Sequence, residues 1–418
     1  MRWILVIVTM LWAAVAAAAP EAVVRADAEP FLKLRASPSA SAVVLGCLAP
    51  GTQVEVLEQA PYWRKVQQGN REGWVAKKFL ADVAEAAPVS AAEADQWLEV
   101  HFVDVGQGDG IWIHTADDGI DNGKFEGKNI VIDGGPRDTD AKNAFLAYLK
   151  EFAHPDAVID ALFITHPHDD HYPGASGILR NFTVKTVYDP GFPKGGTKYP
   201  NFLALARSEP DVDVRLGKDS FGTLDWGSEL QAEILYSYPG SPEGLGSGNT
   251  LENNASIVLR LQYGDQVFLF MGDAEGKERQ GSPTDPRFVE RILLDTVPEK
   301  LHATVLKIAH HGSETSSTQQ FIDAVNPQIV VVSSGRKNFN GTFLPVTSTL
   351  RRYCCHNAST LIFRTDQDDE LEGRTTANDA DGDHVIIRTN GKEITVQAYS
   401  AGQPITMDRC LPACIPEQ

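Results

Sequence analysis

The stretch Thr165-His166-Pro167-His168-Asp169-Asp170-His171 constrains this chain more than any other, because it places three imidazoles and two carboxylates directly after an apolar strand. The run Ala161-Leu162-Phe163-Ile164 has the short, uncharged character of a strand buried on both faces. A strand that ends on such groups delivers them to the mouth of a sheet. Alternation along an extended segment turns His166 and His168 to one side. Imidazole and carboxylate are the ligands that borderline divalent cations such as zinc prefer. Asp170 and His171 are then placed to serve a second cation. A lone histidine is commonly a packed polar residue, but His166, His168, Asp170 and His171 crowded together predict metal binding.

Three other apolar stretches close on similar groups. Val131-Ile132 runs into Asp133-Gly134-Gly135, Phe268-Leu269-Phe270-Met271 into Gly272-Asp273, and Leu306-Lys307-Ile308-Ala309 into His310-His311-Gly312-Ser313. Taken singly, the first reads as a strand-ending turn and the second as an ordinary loop. Residues 97–400 alternate strand-like and helix-like stretches, with a helix expected over 144–150 and a strand over 184–187, which predicts an α/β layered domain.

Before that domain the chain changes character. Residues 1–19 combine a charged start, an apolar run and small residues before Pro20, the pattern of a secretory signal peptide cleaved near Ala19. The run is short for spanning a bilayer, and no later stretch is apolar enough, so no stable membrane insertion is expected after cleavage. Residues 22–83 read as short strands between turns, a small all-β unit, and the Ala-rich residues 84–96 as a linker. Leu45-Gly46-Cys47 lies too far from the apolar run for a lipoprotein site, and Cys47 reads as a buried strand residue. Cys354, Cys355, Cys410 and Cys414 read as disulfide partners tying the 401–418 tail to the main domain, because adjacent Cys354-Cys355 lacks the spacer of a zinc site. Their pairing stays open. A formal net charge of −19 argues against a protein that coats nucleic acid non-specifically, while leaving room for a small phosphorylated substrate.

The motif His166-x-His168-x-Asp170-His171 after a buried strand resembles the defining motif of the metallo-β-lactamase superfamily. The resemblance implies a four-layer αββα fold, preceded here by the all-β unit. It implies that Asp133 supports the metal loop, that Asp273 bridges two cations, and that either His310 or His311 is the last ligand while the other stabilises developing negative charge. Phe102-Val103-Asp104-Val105-Gly106-Gln107-Gly108-Asp109, the stretch Asn253-Asn254-Ala255-Ser256, and His310-His311-Gly312-Ser313 together resemble the hydrolase domain of ComEC-type DNA-uptake channels. The histidine that the superfamily usually carries between the first motif and the bridging aspartate has no counterpart; Asn253 or Asn254 stands there. The first cation would then have His166, His168, Asp273 and water, a set that admits manganese as well as zinc. The order Leu34-Arg35-Ala36-Ser37-Pro38, Gly51-Thr52, Trp63-Arg64-Lys65-Val66 and Gly73-Trp74-Val75 resembles the bacterial SH3-like domain, whose members bind cell-wall peptides or act as spacers. Here Trp63 and Trp74 are expected as core aromatics.

These observations predict a secreted or periplasmic hydrolase with two divalent cations. Water activated to hydroxide attacks a small-molecule, nucleotide or oligonucleotide phosphodiester, with Asp170, His310 and His311 in the catalytic roles. Lys194, Lys198 and Tyr199 are candidates to meet the phosphate. Competing readings are a cell-envelope binding protein with a degenerate metal domain and a β-lactamase-type amide or ester hydrolase. Asp379, Asp381 and Asp383 are read as a polar turn rather than a calcium site, and 117–122 as a hairpin loop.

Overall fold

Strands that are apolar without a break have both faces covered. In the strand Val158–Phe163, Ala161 and Phe163 face a core shared by two sheets, whereas Leu162 and the following Ile164 face a second core built with helices. Ile130 and Ile132 alternate with Val131 in the same way, and Phe268 and Phe270 with Leu269. The structure, a computed structural model, describes residues 21–25, 32–39, 42–48, 52–60, 62–68, 71–82, 97–116, 127–136, 139, 142–153, 157–226, 230–335, 337–366, 380, 382–400 and 403–404. The expected leader at 1–19, the linker at 84–96 and the hairpin loop at 117–122 lie outside these residues. So do Asp379, Asp381, Cys410 and Cys414.

The chain divides into two compact units, Met1–Ser90 and Ala91–Gln418. The first is all-β: β1 (Glu21–Val24), β2 (Leu32–Arg35), β3 (Val44–Leu48), β4 (Gln53–Gln59), β5 (Trp63–Gln68), β6 (Arg71–Ala76) and β7 (Leu80–Asp82), in the sheet order β3-β2-β6-β5-β4-β1-β7. Its core is aliphatic, centred on Leu34, Val56, Val66 and Val75. Trp63 and Trp74 are half-buried and outside that core, contrary to the expectation from sequence. The period of two explains it: Arg64, Val66, Gly73 and Val75 occupy the inward positions of β5 and β6, which turns both tryptophans to the other face.

The second unit has a nine-stranded and a seven-stranded sheet. The first contains β8 (Leu98–Phe102), β9 (Ile111–His114), β10 (Asn129–Ile132), β11 (Val158–Phe163), β12 (Thr183–Asp189) and β13 (Asp213–Leu216). It also takes in the late strands β21 (Val385–Thr389), β22 (Ile394–Ser400) and β23 (Gln403–Pro404), in the order β13-β12-β11-β10-β9-β8-β21-β22-β23. The second runs in chain order through β14 (Gly222–Asp225), β15 (Leu230–Tyr236), β16 (Val258–Tyr263), β17 (Gln266–Phe270), β18 (Val305–Lys307), β19 (Ile329–Val332) and β20 (Leu361–Arg364). One core lies between the sheets. A second packs β9 to β12 against helices Ala144–Phe152, Ala175–Asn181 and Lys198–Ser208, and a third packs β16 to β19 against Phe288–Thr296, Gln319–Val325 and Thr347–His356. This is the four-layer αββα arrangement expected.

Among the described residues no helix is long and apolar enough to cross a membrane. Cys47 lies in β3, and its side chain is outside the description. Cys354 is disulfide-bonded and Cys355 is free and exposed, so the adjacent pair does not act as one unit. Before β21, the amides of Gly382 and Asp383 donate to Asp104 Oδ2 at 3.0 and 3.4 Å.

The inter-sheet core supports both halves of the fold. Replacing the fully buried Phe268 by alanine is expected to cost about 3–5 kcal/mol, read as a lowered midpoint in urea unfolding; a shift under about 1 kcal/mol would contradict this packing.

Candidate metal centre

Parallel strands of both sheets end at one place. Asp133 follows β10, His166 follows β11, Asp273 follows β17, His310 and His311 follow β18, and Ser333 follows β19. Ligand sites collect at such carboxyl ends because loops of different strands converge there. The convergence centres on one atom, Asp273 Oδ2. The Nε2 atoms of His171, His311, His166 and His310 lie 3.4, 3.4, 3.7 and 3.9 Å from it. Donor atoms about 2.1 Å from a shared tetrahedral cation stand about 3.4 Å apart, so these spacings suit ligands of common ions.

Two sets can be read from the distances. Asp170 Oδ2 and Oδ1 lie 3.6 Å from His311 Nε2 and 3.9 Å from His171 Nε2, and these residues form a tight cluster. His166 Nε2 is 2.9 Å from His168 Nδ1, and His166, His171 and Asp273 form another cluster. Asp273 is shared. Among the described residues, the Nε2 atoms of His171 and His311, and Oδ1 of Asp273, are buried without a hydrogen-bond partner, which is the state expected of atoms that would face a cation. The side chains of His168, Asp170 and His310 keep 20%, 20% and 19% of their surface, so the cluster opens on their side.

The ring nitrogen turned away from the cluster is held on each of these imidazoles. His171 Nδ1 meets Asp133 Oδ2 at 2.7 Å, His311 Nδ1 meets the Ser333 carbonyl at 2.7 Å, His166 Nδ1 meets Thr165 Oγ1 at 3.1 Å, and His168 Nε2 meets Glu252 Oε1 at 3.3 Å. Such partners fix ring orientation and raise ligand basicity. Asp133 also accepts from the Thr165 amide at 2.8 Å and hydroxyl at 2.7 Å, pinning the start of the metal loop to β10. Gly134 follows it because a Cβ there would stand 2.1 Å from the Ala175 amide nitrogen.

Burial holds His166 well below its ordinary value, with the charge of His171 adding to the effect. Burial also lowers His168. At His171 the carboxylates of Asp273 and Asp133 outweigh burial and lift the group well above its usual range. At His311 burial is again outweighed, by Asp273 and Asp170, and the value rises to about 9. Despite burial, Asp170 and Asp273 are held below the ordinary carboxylate range by His311 and His171. A cation held there would take the place of the protons that these carboxylates favour on His171 and His311.

Beneath the cluster lies an ion pair that the sequence reading did not single out. Lys307 Nζ is 2.5 Å from Asp109 Oδ2, with both side chains almost fully buried. Asp109 Oδ1 lies 3.6 Å from His311 Nδ1, and Asp109 Oδ2 lies 3.9 Å from His171 Nδ1. The signal was present, since Lys307 is a charge inside an apolar strand and Asp109 ends the Gly106-Gln107-Gly108-Asp109 stretch. Gly108, at φ 141°, is needed because a Cβ there would meet the Asp170 carbonyl oxygen at 2.1 Å.

The profile of the Metallo-beta-lactamase superfamily matches residues 124–336, about half of the chain. The chain belongs to that superfamily. A Bacterial SH3 domain profile matches residues 30–81. The chain is 25% identical to ComE operon protein 3 of Bacillus subtilis over 289 residues, 66% of this chain and 33% of that protein. It is 27% identical to Recombination protein 2 of Haemophilus influenzae over 241 residues, 57% of this chain and 24% of that protein. The chain thus spans a third or less of these relatives' length. Among solved structures, a subclass B3 metallo-beta-lactamase isolated from a soil metagenome library aligns with 54% of this chain and 89% of its own, at 14% identity and a TM-score of 0.32.

His166, His168, Asp170, His171, Asp273, His310 and His311 are thus gathered into one site. Of the three residues expected to meet substrate, Tyr199 and Lys198 are not. Tyr199 is buried, donating to Asp189 Oδ1 at 2.8 Å, and Lys198 is exposed, 3.2 Å from Asp169. Lys194 pairs with Glu252, the carboxylate behind His168, and so stands on the rim. Asn254 is a scaffold residue, its Oδ1 accepting from the Glu275 amide at 2.8 Å, while Ser256 Oγ accepts from the Asp273 amide at 2.9 Å. Glu252 and Glu275 carried no pattern of their own in sequence.

Removing one member of the Asp109–Lys307 pair strands the other charge in the interior. Lys307→Met is expected to lose about 3–5 kcal/mol of stability, with the double change Asp109→Leu/Lys307→Met recovering much of it; equal losses in both variants, read by denaturant unfolding, would contradict the pairing.

Proposed function

We propose that this chain is a two-cation phosphodiesterase acting on a nucleotide or oligonucleotide, working outside the cytoplasm. The observation that carries the reading is the meeting of two ligand sets on the shared carboxylate of Asp273. His166 and His168 would hold one cation, Asp170, His171 and His311 the other, and Asp273 both. When bound, the cations supply an activated water and neutralise charge on the attacked group and the leaving oxygen.

The protein's own residues do the rest. Asp170, on the open side, accepts a hydrogen bond from the incoming water and orients it. Asp133, Ser333, Thr165 and Glu252 hold the rings so that no reorganisation is needed during reaction. Lys194 at the rim offers a cation to a phosphate, exchanging its contact with Glu252 for the substrate.

The substrate class is supported by the stretches resembling ComEC-type hydrolase domains and by the similarity to ComE operon protein 3 and Recombination protein 2. The formal net charge of −19 argues against non-specific coating of nucleic acid and leaves room for a small phosphodiester. Secretion is supported by the apolar residues 1–19, and contact with the cell wall by the SH3-like unit. Zinc and manganese both suit a set that mixes imidazole with carboxylate.

Purified protein is expected to hydrolyse bis-p-nitrophenyl phosphate and single-stranded DNA, to lose activity in EDTA, and to regain it with zinc or manganese. His168→Ala and Asp170→Asn should fall to background. Nitrocefin turnover without phosphodiester turnover would overturn the reading. Lys194→Ala is expected to lower kcat/KM about 10–100-fold, mainly through KM; an unchanged KM would remove Lys194 from the substrate site.

A further inference from the structure

Both members of the His310-His311 pair point at the same oxygen, although a single last histidine is what the superfamily resemblance implies. We infer that each serves a different cation: His311 the one shared with Asp170 and His171, and His310 the one shared with His166 and His168. His310 thereby takes the place of the histidine expected where Asn253 or Asn254 stands. The inference rests on the two-cation reading above.

Three observations support it. First, His310 Nε2 lies 3.9 Å from Asp273 Oδ2, close to the 3.7 Å of His166, while Asp170 lies near His311 and His171. Second, His310 is mounted as the other ligand candidates are. Its Nδ1 stands 3.3 Å from Glu275 Oε1 and 3.1 Å from Thr315 Oγ1, a carboxylate behind the ring as Asp133 stands behind His171. Asn253 Nδ2 donates to Glu275 Oε1 at 2.8 Å and to His310 Nε2 at 3.4 Å, so Asn253 holds the ring through the lone pair that a cation would take over. Glu275 is buried, and its Oε1 is shared between the Asn253 amide and the His310 ring.

Third, the backbone is built to aim two adjacent rings at one atom. In a strand, neighbouring side chains point to opposite faces. His310 (φ 48°, ψ 46°) and His311 (φ 51°, ψ 26°) instead take successive left-handed conformations, followed by Gly312 at φ 76°. For non-glycine residues this costs about 1–2 kcal/mol each, and such strain persists where a site requires it. The rings end 6.3 Å apart and inclined by 63°, approaching Asp273 from two sides. The His310 amide is anchored to the Gly272 carbonyl at 3.0 Å, which ties this turn to the loop carrying Asp273. No histidine is then left to stabilise developing charge, and that task falls to the cations.

The test is manganese stoichiometry and EPR on the purified chain. Wild type should bind two equivalents and give the exchange-coupled spectrum of paired Mn(II). His310→Ala, with an unchanged circular dichroism spectrum, should bind one equivalent and give an uncoupled spectrum. Adding Asn253→His should restore the second equivalent and the coupling. Should His310→Ala fail to fold, Glu275→Gln decides, with an expected loss of about 10–100-fold in affinity for the second equivalent. Two equivalents with intact coupling in His310→Ala, or unchanged affinity in Glu275→Gln, overturns the inference and leaves the two-cation reading standing. Fewer than two equivalents in wild type overturns both.

Discussion

The carboxylate of Asp273 faces imidazoles delivered by two different sheets. His166 and His171 come from the loop after β11, His310 and His311 from the turn after β18, and all present Nε2 to the same oxygen. A buried carboxylate in that position is tolerable only with positive charge around it, whether imidazolium or metal. The two sheets are therefore joined at this end by electrostatics as well as by the apolar core between them. This coupling makes the site depend on the fold: the α/β layers set the separation of the strand ends, and that separation sets the ligand spacing.

Several features that look costly in isolation become intelligible around that centre. Asp133, His310 and His311 all occupy left-handed backbone conformations without being glycine. Asp109 and Lys307 form a buried ion pair directly behind His171 and His311. The Asn253–Ser256 segment turns three polar side chains inward to brace Glu275 and Asp273. Each holds a ring or a carboxylate in one orientation. A flexible cluster with the same ligands would have to be ordered by the metal at every binding event.

Much of this was legible in sequence because the metal ligands sit at strand ends, where apolar runs stop abruptly on polar residues. The alternation of Ala161 and Phe163 against Leu162 and Ile164 is the same period that predicted a doubly covered strand. The supporting carboxylates were less legible. Glu252 and Glu275 meet His168 and His310 through tertiary packing, and nothing local marks them apart from other acids. Trp63 and Trp74 were misplaced because aromatic size suggested core, whereas the strand register turned them outward. Tyr199 was misplaced in the opposite sense: its ring is packed against Tyr172 and its hydroxyl is taken by Asp189.

A diffraction experiment at the zinc or manganese absorption edge on metal-loaded crystals tests the central claim most directly. The account predicts two anomalous peaks about 3.5–4 Å apart, both within bonding distance of Asp273. A single peak, or peaks away from that carboxylate, would contradict it.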